Sequence, residues 1–172
     1  MINYDLKKIK ALVFDVDGVL SSGTISVDLN GELLRTTSVK DGYALHLAIK
    51  LGYHVAIITG AFEESILLRY KDIGIEDICL GSSVKTEKLQ QLLDKYNLSR
   101  EEVLYMGDDI PDYKVMQQVG LPCCPKDAAP EIRDISLYVS HHNGGQGCVR
   151  DVIEQVLKAQ GKWMADDKAF TW

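Results

Sequence analysis

Long apolar runs are missing from this 172-residue chain. None approaches the roughly 20 residues needed to span a bilayer. The first ten residues, MINYDLKKIK, also lack the apolar segment of a secretory leader. The expectation is a cytoplasmic protein that does not enter a membrane. A basic excess is missing too: 19 Lys and Arg stand against 25 Asp and Glu, a net charge of −6. Nucleic acid and anionic membrane surfaces are therefore poor partners. Cysteine is scarce and unpatterned. Cys79, Cys123, Cys124 and Cys148 form no Cys-x-x-Cys pair, so they read as free, mostly buried thiols. His141 and His142 are adjacent, would face opposite ways on an extended segment, and read as loop residues. Proline is confined to the second half, at Pro111, Pro122, Pro125 and Pro130.

What is present suits one globular domain over residues 1–172, with 46% apolar and 26% charged content and no internal repeat or linker. Ala11 to Phe14 is uniformly apolar, the pattern of a strand buried on both faces of a parallel sheet. Similar runs recur at His54–Ile58, Asp77–Leu80 and Val103–Met106, with short closing strands expected at Leu121–Cys123 and Ser136–Val139. Helical patterns fall between them: Asp41 to Leu51, Glu63 to Lys71, Lys85 to Tyr96, a small one near Ala128 to Arg133, and a final one from Gln146 to Ala159. Strands alternating with helices predict right-handed crossovers and a three-layer Rossmann-like α/β sandwich. Asn30-Gly31, between β-prone runs, predicts a hairpin over about 21–38 that projects from the carboxyl edge as a small flap.

The strand ends carry the chemistry. The first delivers Asp15-Val16-Asp17-Gly18, the second Thr59-Gly60 and the fourth Gly107-Asp108-Asp109, while Lys85 opens the helix after the third. Taken alone, Asp-x-Asp-Gly is equally a strand end whose Asp17 caps a turn, Thr-Gly is a turn, and Gly-Asp-Asp is a helix cap. In an open parallel sheet, however, the carboxyl ends of neighbouring strands converge on one crevice. Carboxylates gathered there repel one another unless a cation intervenes. Mg2+ suits oxygen ligands and a phosphate-bearing substrate. One carboxylate could then attack phosphorus, with Lys85, the Thr59 hydroxyl and the Gly60 amide stabilising the phosphoryl oxygens.

These four motifs, with Ile58 ahead of Thr59 and Ile110-Pro111-Asp112 after Asp109, resemble those of the haloacid dehalogenase-like phosphatases. The hairpin, Val39-Lys40-Asp41-Gly42-Tyr43, Gly144-Gly145-Gln146-Gly147-Cys148-Val149-Arg150 and Ala159-Gln160-Gly161-Lys162 are similar to the 3-deoxy-D-manno-octulosonate 8-phosphate phosphatases among them. The resemblance implies a capless fold, Mg2+ as cofactor and a phosphorylated sugar acid as substrate, in lipopolysaccharide precursor synthesis. It implies Asp15 as nucleophile and metal ligand, and Asp17 as acid and base, its carbonyl also on the metal. Asp108 would be the third ligand, with Asp109 and Asp112 near the metal's outer shell. Thr59, Gly60 and Lys85 would hold the phosphoryl group. Ser38, Val39, Lys40, Asp41, Gly42 and Arg69 would contact the sugar acid, and the family pattern puts a basic residue where His46 stands. Relatives commonly carry Arg where this chain has Ala61. Such proteins are homotetramers in which a neighbour's flap and tail close the site.

Three alternatives stay open at this level: the same chemistry on a nine-carbon sialic-type 9-phosphate, a phospho-acceptor signalling domain, and a non-catalytic interaction module. Asp17 speaks against the second, and the intact acids with Thr59 and Lys85 against the third. Gly144 to Gly147 could cradle a phosphate at a helix N-terminus, or simply turn a loop into a helix. The tail over about 161–172, with Trp163, Met164, Phe170 and Trp172, is too aromatic to be merely solvated. It docks either on its own subunit or beside a neighbour's active site.

Overall fold

The computed structural model describes residues 1–171; Trp172 lies outside the described residues. Six parallel strands form the central sheet. They are β1 (Ala11–Phe14), β4 (His54–Ile58), β5 (Asp77–Cys79), β6 (Val103–Met106), β7 (Leu121–Cys124) and β8 (Tyr138–Val139). A separate antiparallel ribbon pairs β2 (Ser26–Val27) with β3 (Leu33–Leu34). The sheet order is β5-β4-β1-β6-β7-β8. The chain thus builds outward from β1 to β5, then returns past β1 to add β6, β7 and β8. The order reverses between β1 and β6, which places a ligand crevice at their carboxyl ends.

Successive strand residues point to opposite faces, and both faces are covered. Leu12, Phe14, Val55, Ile57, Leu104 and Met106 pack under α1 (Val39–Lys50), α2 (Glu64–Ile73) and α6 (Cys148–Ala159). Ala11, Val13, Ala56, Ile58, Val103 and Tyr105 pack under α3 (Lys85–Tyr96), α4 (Tyr113–Met116) and α5 (Pro130–Ile135). The architecture is the expected three-layer α/β sandwich with a small hairpin. No helix among the described residues is long and apolar enough to cross a membrane.

Several boundaries differ from the sequence reading, each for a local reason. α1 starts at Val39, before Asp41-Gly42, because Ser38 caps it, its Oγ accepting from Asp41 N at 3.2 Å. The hairpin pairs only two residues on each side, since Asp28 draws its turn tight by accepting from Asn30 N and Glu32 N, both at 2.8 Å. After Asp109, Pro111 opens a 3-10 turn over Ile110–Asp112 before α4 begins. α6 starts at Cys148, two residues later than expected, with Gly147 left-handed at φ 109.

Three of the four thiols are buried, Cys79 is half-buried and all are free. The tail folds back on its own chain. The Trp163 ring meets Tyr43 edge-on at 6.4 Å, the Tyr43 hydroxyl donates to the Ala169 carbonyl, and Lys50 Nζ donates to Thr171 O at 3.2 Å. Arg150 lies over the Trp163 and Tyr43 rings, at 5.2 and 5.6 Å, rather than pointing to solvent. Phe170 and Met164 remain exposed.

Candidate active site

β1 and β6 lie side by side, Phe14 opposite Met106, so the residues that follow them emerge together. Asp15 ends β1 with its carboxylate turned inward: Val16 N donates to Oδ1 at 2.7 Å and Lys85 Nζ sits 2.8 Å from Oδ2. Gly18 then reverses the chain at φ +79, and a Cβ there would overlap the Asp108 carboxylate. Only glycine combines that backbone angle with that approach. Asp108 is delivered by β6 through Gly107, where a Cβ would overlap Asp112. Lys85, the first residue of α3, is buried and reaches across from the far side of the sheet.

Asp112 holds this arrangement from beneath. It is fully buried, and its Oδ1 accepts from Lys85 Nζ at 2.7 Å and from the Tyr105 hydroxyl at 2.8 Å. Its Oδ2 accepts from Asp108 N at 3.2 Å. A buried carboxylate with three donors is a fixed strut.

Asp15, Asp108 and Asp112 offer carboxylate oxygens within 4.8 Å of one another. Burial raises the Asp108 pKa to about 8, with Asp15, Asp112 and Asp109 adding repulsion and Lys85 opposing. Burial and Asp112 likewise raise Asp15, against the pull of Lys85. The Lys85 ammonium is held above its ordinary value; burial opposes this and the two aspartates outweigh it. One lysine does not balance the acids, and an all-oxygen donor set short of positive charge fits a hard divalent cation. The Asp112 oxygens are engaged by Lys85, Tyr105 and Asp108 N, and the Asp15 oxygens by Val16 N and Lys85, leaving Asp108 as the carboxylate of the group with no protein donor among the described residues.

A cavity of about 330 Å3 opens over these acids, lined also by Asp17, Gly23, Thr59, Gly60, Ala61, Ser82 and Pro111. Thr59 is buried at the end of β4, its Oγ1 accepting from Ala61 N at 3.1 Å, so its own proton is available to a ligand. The structure thus brings Asp15, Asp17, Thr59, Gly60, Lys85 and Asp108 into one cavity. The Asp17 carboxylate is not part of the acid group. It turns to Arg35, which grips it with two hydrogen bonds at 2.6 and 2.9 Å.

The remaining candidates lie elsewhere. Asp41 is buried, its carboxylate accepting from Gly147 N at 3.1 Å and Arg150 N at 2.7 Å. It occupies the N-terminus of α6, so the glycine loop does not cradle a phosphate there. Instead, Gly144 and Gly145 pack on the segment that follows Asp15, where a Cβ would strike the Gly18 carbonyl and the Ser22 amide. Ser38 caps α1, Gly42 is buried and Val39 is exposed. Lys40 lines a separate cleft of about 730 Å3 with Arg150 and His142. A His46 ring nitrogen lies 2.8 Å from the Ile73 carbonyl, away from the acids. Arg69 lines a smaller cavity of about 250 Å3 with Arg35, Thr37 and Tyr70.

Sequence reasoning passed over Arg35, Glu63, Ser82 and Tyr105. Tyr105 sat inside an apolar strand and Arg35 in a short hairpin. Ser82 had only its place after a strand end as a signal.

Similarity to known proteins agrees with this geometry. A family model for haloacid dehalogenase-like hydrolases matches residues 58–153. The 3-deoxy-D-manno-octulosonate 8-phosphate phosphatase KdsC of Salmonella typhi is 41% identical over 156 residues, 91% of this chain and 83% of the relative. The crystal structure of the Yersinia pestis 3-deoxy-D-manno-octulosonate 8-phosphate phosphatase matches with a TM-score of 0.89 and 38% identity, over 92% of this chain and 85% of that one. That of the Moraxella catarrhalis phosphatase, in complex with magnesium, phosphate and KDO, matches with a TM-score of 0.91 and 34% identity, over 97% and 96%. With Asp15, Asp108 and Lys85 meeting at one crevice, a chain so matched belongs to the haloacid dehalogenase-like hydrolase family.

Proposed function

We propose that the chain is a Mg2+-dependent phosphatase that hydrolyses 3-deoxy-D-manno-octulosonate 8-phosphate to the free sugar acid and phosphate. It would act in the cytoplasm, in lipopolysaccharide precursor synthesis. The observation that carries the reading is the Asp15 carboxylate, held by Val16 N and Lys85 at the floor of a cavity shared with Asp108, Thr59 and Gly60. The Moraxella relative with magnesium, phosphate and KDO supports the substrate class.

The residues divide the work as follows. A carboxylate oxygen of Asp15 attacks phosphorus, and the bond from phosphorus to the sugar oxygen breaks, leaving an aspartyl phosphate. Asp17 takes up a proton on Oδ2 as that oxygen leaves Arg35 Nη2, Oδ1 staying with Arg35 Nε and Ser21, and gives it to the departing alkoxide. It then takes a proton from the water that attacks phosphorus, and phosphate leaves with the Asp15 carboxylate restored. Lys85, the Thr59 hydroxyl and the Gly60 amide hold the equatorial phosphoryl oxygens. Asp15, Asp108 and the Asp17 carbonyl would hold Mg2+, which when bound supplies the positive charge that lets carboxylates and phosphoryl group approach. Arg69 and Lys40 are the cations best suited to the sugar acid, while Ser38, Asp41, Gly42 and His46 act through the shape of α1. The unit acts as a single domain over 1–172. Exposed Ile25, Val27, Leu29 and Leu34 on the flap suit burial in a homotetramer.

The test is phosphate release from the eight-carbon 8-phosphate and a nine-carbon 9-phosphate, each with Mg2+ and with chelator, beside Asp15→Asn. The expected result is Mg2+-dependent release favouring the eight-carbon substrate, with loss of at least about 1,000-fold in D15N, an order set by covalent catalysis. Equal turnover in D15N would remove the reading.

A further inference from the structure

The flap is tied to the catalytic loop by one side chain. Its ribbon pairs only Ser26–Val27 with Leu33–Leu34; Ser26, Val27 and Leu34 are exposed and Leu33 is half-buried. Its apolar hold on the body is thin, resting on Leu33, which lines a cavity with Val16 and Ile66. What crosses from it to the body is Arg35, just beyond β3. Its side chain is only 7% exposed. Nε donates to Asp17 Oδ1 at 2.6 Å and Nη2 to Oδ2 at 2.9 Å, while Nη1 stands 3.2 Å from Glu63 Oε2, misaligned for a hydrogen bond.

A guanidinium buried this far needs opposing charge, and its planar fork matches a carboxylate in one orientation. Here that carboxylate belongs to the segment that carries the nucleophile. Ser21 Oγ adds a donor to Asp17 Oδ1 at 3.2 Å, and Ser21 is itself bridged to Thr37 at the flap's base. Arg35 and Ser21 thus fix the Asp17 carboxylate through three donors that move with the root of the flap.

We propose that Arg35 is a positioning residue: it ties the root of the flap to Asp17, so that the place of the acid–base carboxylate depends on the place of the flap. This rests on the function proposed above. Asp17 hangs from a loop with a glycine next to it, and a carboxylate misplaced by about 1 Å loses proton-transfer efficiency by orders of magnitude. Arg35 touches no reacting atom in this role. Its contribution passes through Asp17 and is felt in turnover more than in the capture of phosphate.

The experiment compares Arg35→Gln and Arg35→Lys with the unaltered protein. It reads kcat and KM on the octulosonate phosphate, inhibition by inorganic phosphate, and amide exchange over residues 24–37. In R35Q, kcat falls at least tenfold, KM and phosphate inhibition stay within threefold, and exchange over the hairpin quickens at least tenfold. R35K, with a single ammonium, regains part of kcat. A kcat within twofold of the unaltered protein overturns the proposal. So does a rise in KM at constant kcat, which would make Arg35 a substrate ligand, and so does R35K proving as slow as R35Q. Should R35Q fail to fold, R35K alone decides, through a kcat at least threefold low with phosphate inhibition unchanged. An unaltered protein that releases no phosphate counts against the proposed function, while hairpin exchange in R35Q still tests the strap.

Discussion

At the scale of single residues, the acid group dictates how the protein responds to pH. Asp108 in the folded chain titrates at about 8, raised chiefly by burial, against an ordinary value near 4. Between those values the folded protein holds more protons than the unfolded one, so its stability falls as pH rises. Asp15, raised for the same reasons, adds to the fall. The metal-free protein should lose melting temperature steadily from pH 5 to 8, and saturating Mg2+ should restore most of it at pH 8 and little at pH 5. Scanning fluorimetry in chelator and in Mg2+ checks this; a flat metal-free profile would contradict it. Asp112→Asn withdraws charge from beneath Lys85 and Tyr105, and kcat should drop about 10–100-fold, the usual cost of losing such a support, with Tm falling too because one oxygen cannot serve three buried donors. Asp15, Asp17 and Asp108 stood out in the sequence because each follows an apolar run that reads as a strand, and the structure brings all three to one cavity; their roles were implied by the family resemblance. Arg35 did not stand out, since its partner lies 18 residues away and the pairing depends on how a two-residue ribbon folds back. Tyr105 was read by its ring; the hydroxyl that meets Asp112 leaves no periodic trace.

Among the elements, α1 and α6 are joined by a buried charge. Asp41 in the first turn of α1 accepts from two amides at the start of α6, where the helix dipole favours an anion. Asp41→Ala strips those amides of their partner in the interior and should cost about 2–3 kcal/mol, as for hydrogen bonds to a charged group. Chemical denaturation measures it, and a change below about 0.5 kcal/mol, the scale of an ordinary surface substitution, would show that the amides find other acceptors. The Asp-Gly beside Ser38 marked a helix start in the sequence, and the helix is there. Its tie to α6 left no trace in the sequence because the contact joins positions 106 and 109 residues apart. Strand order was legible in outline for a simpler reason: apolar runs with helical spacers permit few right-handed arrangements.

For the molecule as a whole, the tail is a brace on its own chain in this structure. Ala169 is buried, and Trp163 closes over Tyr43 and Arg150. Deleting residues after Gly161 should lower Tm by about 3–6 °C, the shift that 1–2 kcal/mol produces in a domain of this size. Calorimetry of the truncated and full chains decides it; an unchanged Tm with reduced turnover would assign the tail to a neighbour's site instead. Aromatic content signalled that the tail docks, but composition cannot specify the surface. The proposed assembly is checked by light scattering, with four times the 19.2 kDa chain mass expected.

The junction of β1 with β6 has a further consequence for how the protein matures. Asp15 leaves the ribosome early, whereas Asp108 follows a strand made after more than half of the chain, and on the proposed mechanism neither would work before β1 and β6 lie edge to edge. Nascent fragments ending ahead of β6 are consequently inert, whatever structure they hold. Hydrolysis would then report that the early and late parts of the polypeptide have met, and not merely that the first strands have formed.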